Sequence, residues 1–168
     1  RITYLRAWIA FQEGKLFEAG RLLSRLAPFE RGRSSPGALY LMGRIHHGFG
    51  ERREAEAFYR MVSGEGLASA LRAAGRQALG AVLIELGENA EAVEILKEPS
   101  SRKPPTAQKL LSRLLHGVAL LGDGRLSSAR NDFLSVSRAA LDPELRSRAL
   151  FWAGHCSVLS WEKSDSWL

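Results

Sequence analysis

Two adjacent histidines, His46 and His47, and a lone cysteine, Cys156, are the residues of this chain whose types invite chemistry. A histidine pair suggests a metal ligand set, and a thiol suggests a nucleophile or a redox centre. Spacing argues against both. Neighbouring residues on a helix point about 100° apart, so His46 and His47 do not share one face. No cysteine or further histidine stands at ligand spacing from them. His46 is expected at a helix-packing position and His47 on an inner surface. A single cysteine cannot close a disulfide within the chain, and it leaves the redox compartment open. Gly122-Asp123-Gly124 reads as a turn rather than a phosphate cradle, because its equivalents elsewhere in the chain are turns. There is no nucleophile elbow and no marked pair of acids. The expectation is a chain with no catalytic residue, no cofactor and no metal.

The elements that position these residues are set by a repeat. Gly43 is followed by Gly80, Gly117 and Gly154, each 37 residues on. A second register runs Gly14, Gly50, Gly87 and Gly124, and five residues past each stands an alanine: Ala19, Ala55, Ala92 and Ala129. In the opening unit Ala7 takes the place of the first-register glycine. A period of this size marks supersecondary units that bury their faces against one another. Residues 38–62 show one unit whole. Two stretches with helical apolar spacing flank the polar break Gly50-Glu51-Arg52-Arg53, which makes a hairpin whose helices approach where side chains are small. Cys156 belongs to the same scheme. Its equivalents Ile9, Ile45, Val82 and Ala119 are all apolar, so it is expected as a small buried core residue.

The register divides the chain into units at 2–36, 37–66, 67–104, 105–141 and 142–168, about four and a half repeats of a single array over 1–168. Pro28 and the polar run 30–37 connect the first two units, and 63–66 closes the second. The third unit has helices over about 67–86 and 89–97. Residues 99–105, with three prolines, look like a linker, but the register crosses them without slipping and they read as an inter-repeat loop. The fourth unit has helices over about 106–121 and 126–140. Asp142-Pro143-Glu144 opens the fifth, with Asp as N-cap and Pro at the first helical position, and that helix is expected to run to about Ser160. No segment alternates as a strand does. The fold class is all-α, with about nine helices in antiparallel pairs.

Composition fits a globular protein: 45% hydrophobic and 25% charged over 168 residues. No apolar run reaches the length of a membrane span. Arg1 is not an initiator methionine and the fifth unit breaks off at Leu168, so an excised or processed fragment is expected. The formal charge is +6, with 19 Arg against 5 Lys. The arginines are scattered and often flanked by acids, as in Glu51-Arg52-Arg53-Glu54. Nucleic-acid binding calls for a dense basic stripe interleaved with aromatics, so no nucleic-acid partner is expected.

The small-residue code resembles the tetratricopeptide repeat, whose unit carries a Leu-Gly pair in its first helix and an Ala opening its second. Met42-Gly43, Leu79-Gly80, His116-Gly117 and Ala153-Gly154 fall on the Leu-Gly position. The aromatic position of the second helix holds Tyr59 and Phe133, with Leu23 and Leu96 in the other units. The chain departs from the family at the Trp position, which holds Leu39, Arg76, Arg113 and Leu150, and in its longer period. The resemblance implies a right-handed α-solenoid that binds proteins and lacks catalysis. The strings ALYLMGRIHHGFG and RALFWAGHC are similar to openings in bacterial envelope members, including the superhelix of soluble lytic transglycosylases, which implies a lean toward the periplasm.

In resembling repeats the inner surface comes from the first helix of each unit. Mapped by register, the partner-binding positions are Tyr4, Trp8 and Phe11 in the first unit and Tyr40, Arg44 and His47 in the second. Gln77 and Ile84 follow in the third, Leu114 and Val118 in the fourth, and Phe151 and His155 in the fifth. Spacings of three and four put each set on one stripe. The functional expectation is a groove for a peptide or helical segment, with aromatic anchors carrying the affinity and Arg44 orienting a carboxylate. The competing expectation is that the stripe is partly core. A carboxylate clamp for acidic chaperone tails needs Lys and Asn at these sites, and the stripe has neither. Two other readings are the non-catalytic helical part of a larger enzyme and a ligand-sensing regulatory domain.

Overall fold

The computed structural model describes residues 2–25, 35–64, 69–97 and 105–165. The loops expected around 28–34, 65–66 and 99–104, and the tail 166–168, lie outside the described residues. Among the described residues there are nine helices: α1 (Ile2–Gln12), α2 (Leu16–Ser24), α3 (Pro36–Gly48), α4 (Arg52–Ser63), α5 (Ser69–Glu85), α6 (Asn89–Leu96), α7 (Ala107–Gly122), α8 (Leu126–Ala139) and α9 (Pro143–Asp165). They follow one another as sequential antiparallel pairs in a tetratricopeptide-like arrangement. No strand occurs among the described residues. The chain divides into two compact units, Arg1–Val82 and Leu83–Leu168.

One turn, used four times, makes the hairpins. Gly14, Gly50, Gly87 and Gly124 have φ of 76°, 80°, 79° and 77°, in the left-handed region where a Cβ is costly. Around each, two backbone bonds close the first helix. At the first hairpin Gly14 N–H donates to Phe11 O at 3.0 Å and Lys15 N–H to Ala10 O at 2.9 Å. The same pair recurs as Gly50 to His47 and Glu51 to His46, Gly87 to Ile84 and Glu88 to Leu83, and Gly124 to Leu121 and Arg125 to Leu120. This is the Schellman closure, which satisfies carbonyls that a helix end would leave open. An ideal Cβ on Gly124 meets nothing within 4 Å. Gly124→Ala is therefore expected to cost about 1–2 kcal/mol, the backbone strain alone; a urea melt reads it.

Two helix starts among the described residues are capped by side chains, and the one at Asp142-Pro143 is the one expected. Thr106 Oγ1 accepts from Lys109 N–H at 3.3 Å at the start of α7. Asp142 accepts from Glu144 N–H at 3.1 Å and Leu145 N–H at 3.4 Å, with Pro143 the first residue of α9. The end of α9 differs from expectation: it passes Ser160 and runs through Asp165. The turn register would put a glycine 37 residues after Gly124, and that place holds Trp161. A tryptophan has no inexpensive left-handed conformation, so the helix continues.

Small residues let the paired helices close. Ala19, Ala55, Ala92 and Ala129 are all 0% exposed. In the first compact unit an ideal Cβ on Gly43 would stand 2.6 Å from the ring of Tyr59, so α3 and α4 meet only because that Cβ is missing. In the second, Gly117 would meet Phe133 at 2.7 Å. Gly80 is also buried. Gly154 departs from the series. It is exposed, and its Cβ would meet nothing within 4 Å, because no second helix lies against that side of α9 among the described residues. The Cys156 series departs at the other end. Ile45, Val82, Ala119 and Cys156 are buried, whereas Ile9 is 56% exposed, since no helix precedes α1 among the described residues.

Candidate partner-binding surface

The candidate positions are best gathered in the first compact unit. Tyr4, Trp8 and Phe11 lie along one side of α1, half-buried, with their inner edges packed on a core of Ala7, Ala10, Ala19, Leu23, Ala38, Leu41 and Ile45. Tyr4 lies over the start of α3, where a Cβ on Gly37 would come within 3.1 Å of its hydroxyl. The rings of Trp8 and Phe11 are 6.2 Å apart and tilted by 38°. From α3 the Arg44 guanidinium carbon sits 5.0 Å from the centre of the Phe11 ring, a cation–π contact that ties the two stripes together. Tyr40 and His47, also half-buried, both lean on Tyr59 of α4, at 5.9 Å and 6.3 Å between ring centres. Tyr4, Trp8, Phe11, Tyr40 and His47 thus give these two helices five half-buried rings, with the Arg44 guanidinium among them. Such a surface offers π faces and a fixed positive charge to a segment that is apolar or amphipathic.

The histidine pair has separate tasks. His46 Nδ1 is 2.6 Å from Glu51 Oε2, across the hairpin turn, and its ring stacks on Phe58 at 5.2 Å. His47 meets Tyr59 edge-on. No group of three or more His, Cys, Asp or Glu side chains that could hold a metal ion occurs among the described residues.

The remaining positions are less uniform. Gln77 of α5 is half-buried in the first unit, and Ile84 of the same helix is half-buried in the second. Leu114 is 4% exposed and is core, because α7 is covered by both α6 and α8. It has no surface to give a partner, which corrects the expectation for that position. Val118 is half-buried. Phe151 is 67% exposed and His155 is exposed, their rings parallel at 6.5 Å. Both meet Trp152, at 5.4 Å and 5.8 Å, and Trp152 stacks on Phe133 at 6.3 Å.

Polar contacts inside the helix pairs were not foreseen. His116 Nδ1 pairs with Asp132 Oδ2, and Arg113 donates to Ser135 Oγ at 2.9 Å, both joining α7 to α8. The signal was present: the step of 16 residues that puts Phe133 on Gly117 also puts Asp132 on His116. In α4 the nearly buried Glu56 accepts from Arg60 at 2.8 Å and Arg53 at 3.0 Å. Burial pulls its pKa upward, but the two arginines outweigh that and hold it below the usual carboxylate value. For Cys156 burial dominates and pushes the thiol up, with smaller opposing effects from its own backbone and Arg130. A buried thiol held neutral is a poor nucleophile.

No protein-family model and no curated protein matches the chain. Among solved structures the chain is similar to the MamA RS-1 ArsTM double mutant, with a TM-score of 0.64 and 16% sequence identity. The likeness covers 95% of this chain and 94% of that one. It extends the tetratricopeptide-like fold over nearly the whole length.

Proposed function

We propose that this chain is a protein-interaction scaffold that holds a peptide or helical segment of a partner on the first-helix stripe of its first compact unit. The observation that carries this reading is the α1–α3 surface, where Arg44 lies over Phe11 beside the Trp8 ring. Its rings are packed on one side and open on the other, which is how anchors that dominate binding energy are built. A tetratricopeptide-like fold supports a scaffold role in general terms and supplies no catalytic group of its own. The lean toward a bacterial envelope setting rests on the two short strings alone.

The test uses peptides selected by display against the 168-residue chain. Trp8→Ala and Arg44→Ala are expected to weaken selected peptides about tenfold or more, with helicity by circular dichroism unchanged. Helicity and binding falling together would assign the stripe to the core and sink the reading.

A further inference from the structure

We propose that the partner segment held on the α1–α3 stripe carries an internal Asp or Glu whose carboxylate pairs with Arg44, next to an aromatic or aliphatic side chain that packs on Trp8. This assignment rests on the scaffold reading of the same stripe and adds the chemistry of the partner.

The guanidinium is where the stripe departs from a plain apolar surface. Arg44 is half-buried, and its guanidinium lies over the Phe11 ring. Among the described residues it makes no ion pair and no side-chain hydrogen bond. A ring takes the flat face of a guanidinium and leaves the N–H donors around its edge for another group. A positive charge partly withdrawn from water calls for an anion. The chain supplies none from the stripe, since no stripe position on α1, α3 or α5 is an acid. The acids nearest in sequence to Phe11 and Arg44 are already engaged, Glu13 with Lys15 at 2.8 Å and Glu51 with His46 at 2.6 Å.

A carboxylate is the anion that fits. The planar fork of an arginine meets both carboxylate oxygens at once, and a guanidinium resting on a ring has already lost part of the freedom that pairing costs. A phosphorylated side chain is met by clusters of arginines, whereas Arg44 is the one Arg or Lys on the stripe. The acid is internal to the segment because the stripe continues on both sides of Arg44. Tyr40 stands one turn before it on α3 and His47 one turn after, while Trp8 lies 6.2 Å from Phe11 on α1. Residues flanking the acid therefore have rings to pack on.

The experiment selects random-sequence peptides by display on the whole 168-residue chain, keeps those that Trp8→Ala weakens, and titrates them as synthetic peptides by fluorescence anisotropy. These stripe binders are expected to share an Asp or Glu beside an aromatic or aliphatic residue. Changing that acid to Asn or Gln should weaken binding to the native chain about tenfold or more. On a chain carrying Arg44→Gln the same change should have little further effect, because contacting charges couple. Arg44→Lys, which keeps the charge without the planar fork, is the milder second variant, and there the loss should shrink but persist. Amidating the peptide C-terminus should change nothing. Stripe binders that lack an acid, or whose acid can be neutralised with equal loss on native and Arg44→Gln chains, overturn the assignment and leave the scaffold reading standing. A loss seen only on amidation moves the carboxylate to the peptide end and also overturns it. If no selected peptide is weakened by Trp8→Ala, the scaffold reading falls and the assignment with it.

Discussion

Phe133→Ala is expected to cost about 3–5 kcal/mol, a large share of the stability of a domain this size. The ring is 0% exposed and does two jobs at once. One edge fills the place that Gly117 leaves in α7, and the ring stacks on Trp152 of α9 at 6.3 Å. Truncation opens a cavity between three helices, and Gly117 has no side chain with which to collapse into it. A denaturant melt should show the midpoint falling with little change in slope. The loss should be partly recovered in Phe133→Ala/Gly117→Leu, because the added side chain enters the vacated volume. Contacting residues couple in this way, whereas distant ones add. A loss below about 1 kcal/mol, within the range of ordinary surface changes and small core trims, would show that the ring is not a core element.

Gly43→Leu is expected to cost about 1–3 kcal/mol or more through overpacking. The new Cβ would stand 2.6 Å from the Tyr59 ring before the rest of the side chain is placed. Tyr59 cannot swing aside easily: it is 0% exposed and flanked by the rings of Tyr40 and His47. The same substitution at Gly154, in the same register, is expected to be neutral or stabilising. It meets nothing there and removes a glycine from a helix interior, worth up to about 1 kcal/mol. Thermal melting of the two variants side by side is the check. Equal effects would mean that the glycine register does not report helix contact.

Much of this was legible in advance because it depends on local chemistry or on a constant step along the chain. A residue that must adopt φ near 80° between two helical stretches is a glycine, and all four turn glycines do so. An alanine five residues later is where the second helix comes closest, and all four are fully buried. Asp142 caps a helix by accepting from backbone N–H groups two and three residues on, and Pro143 suits its first position by its fixed φ, with no help from a distant residue. The stripe itself was harder to read. Spacing placed Tyr4, Trp8 and Phe11 on one side of α1, but the seat of Arg44 over Phe11 depends on how α1 and α3 cross. The His116–Asp132 pair follows from the 16-residue step that brings α7 and α8 face to face, which only the assembled helices show.

Turn chemistry and the recurrence of small residues were enough to specify an all-α array of hairpins and where its helices touch. Both follow from steric limits that act within a few residues of the backbone or repeat at a fixed interval. Which equivalent positions face solvent had to come from the assembled helices. Exposure depends on the neighbours that cover a side chain. Ile9 and Cys156 hold one register, yet the first is 56% exposed and the second 1%. Leu114 lies on the nominal surface stripe and is core, while Gly154 lies on the nominal packing stripe and is open. Periodicity names the face of a helix, and the presence or absence of the next helix decides what that face does.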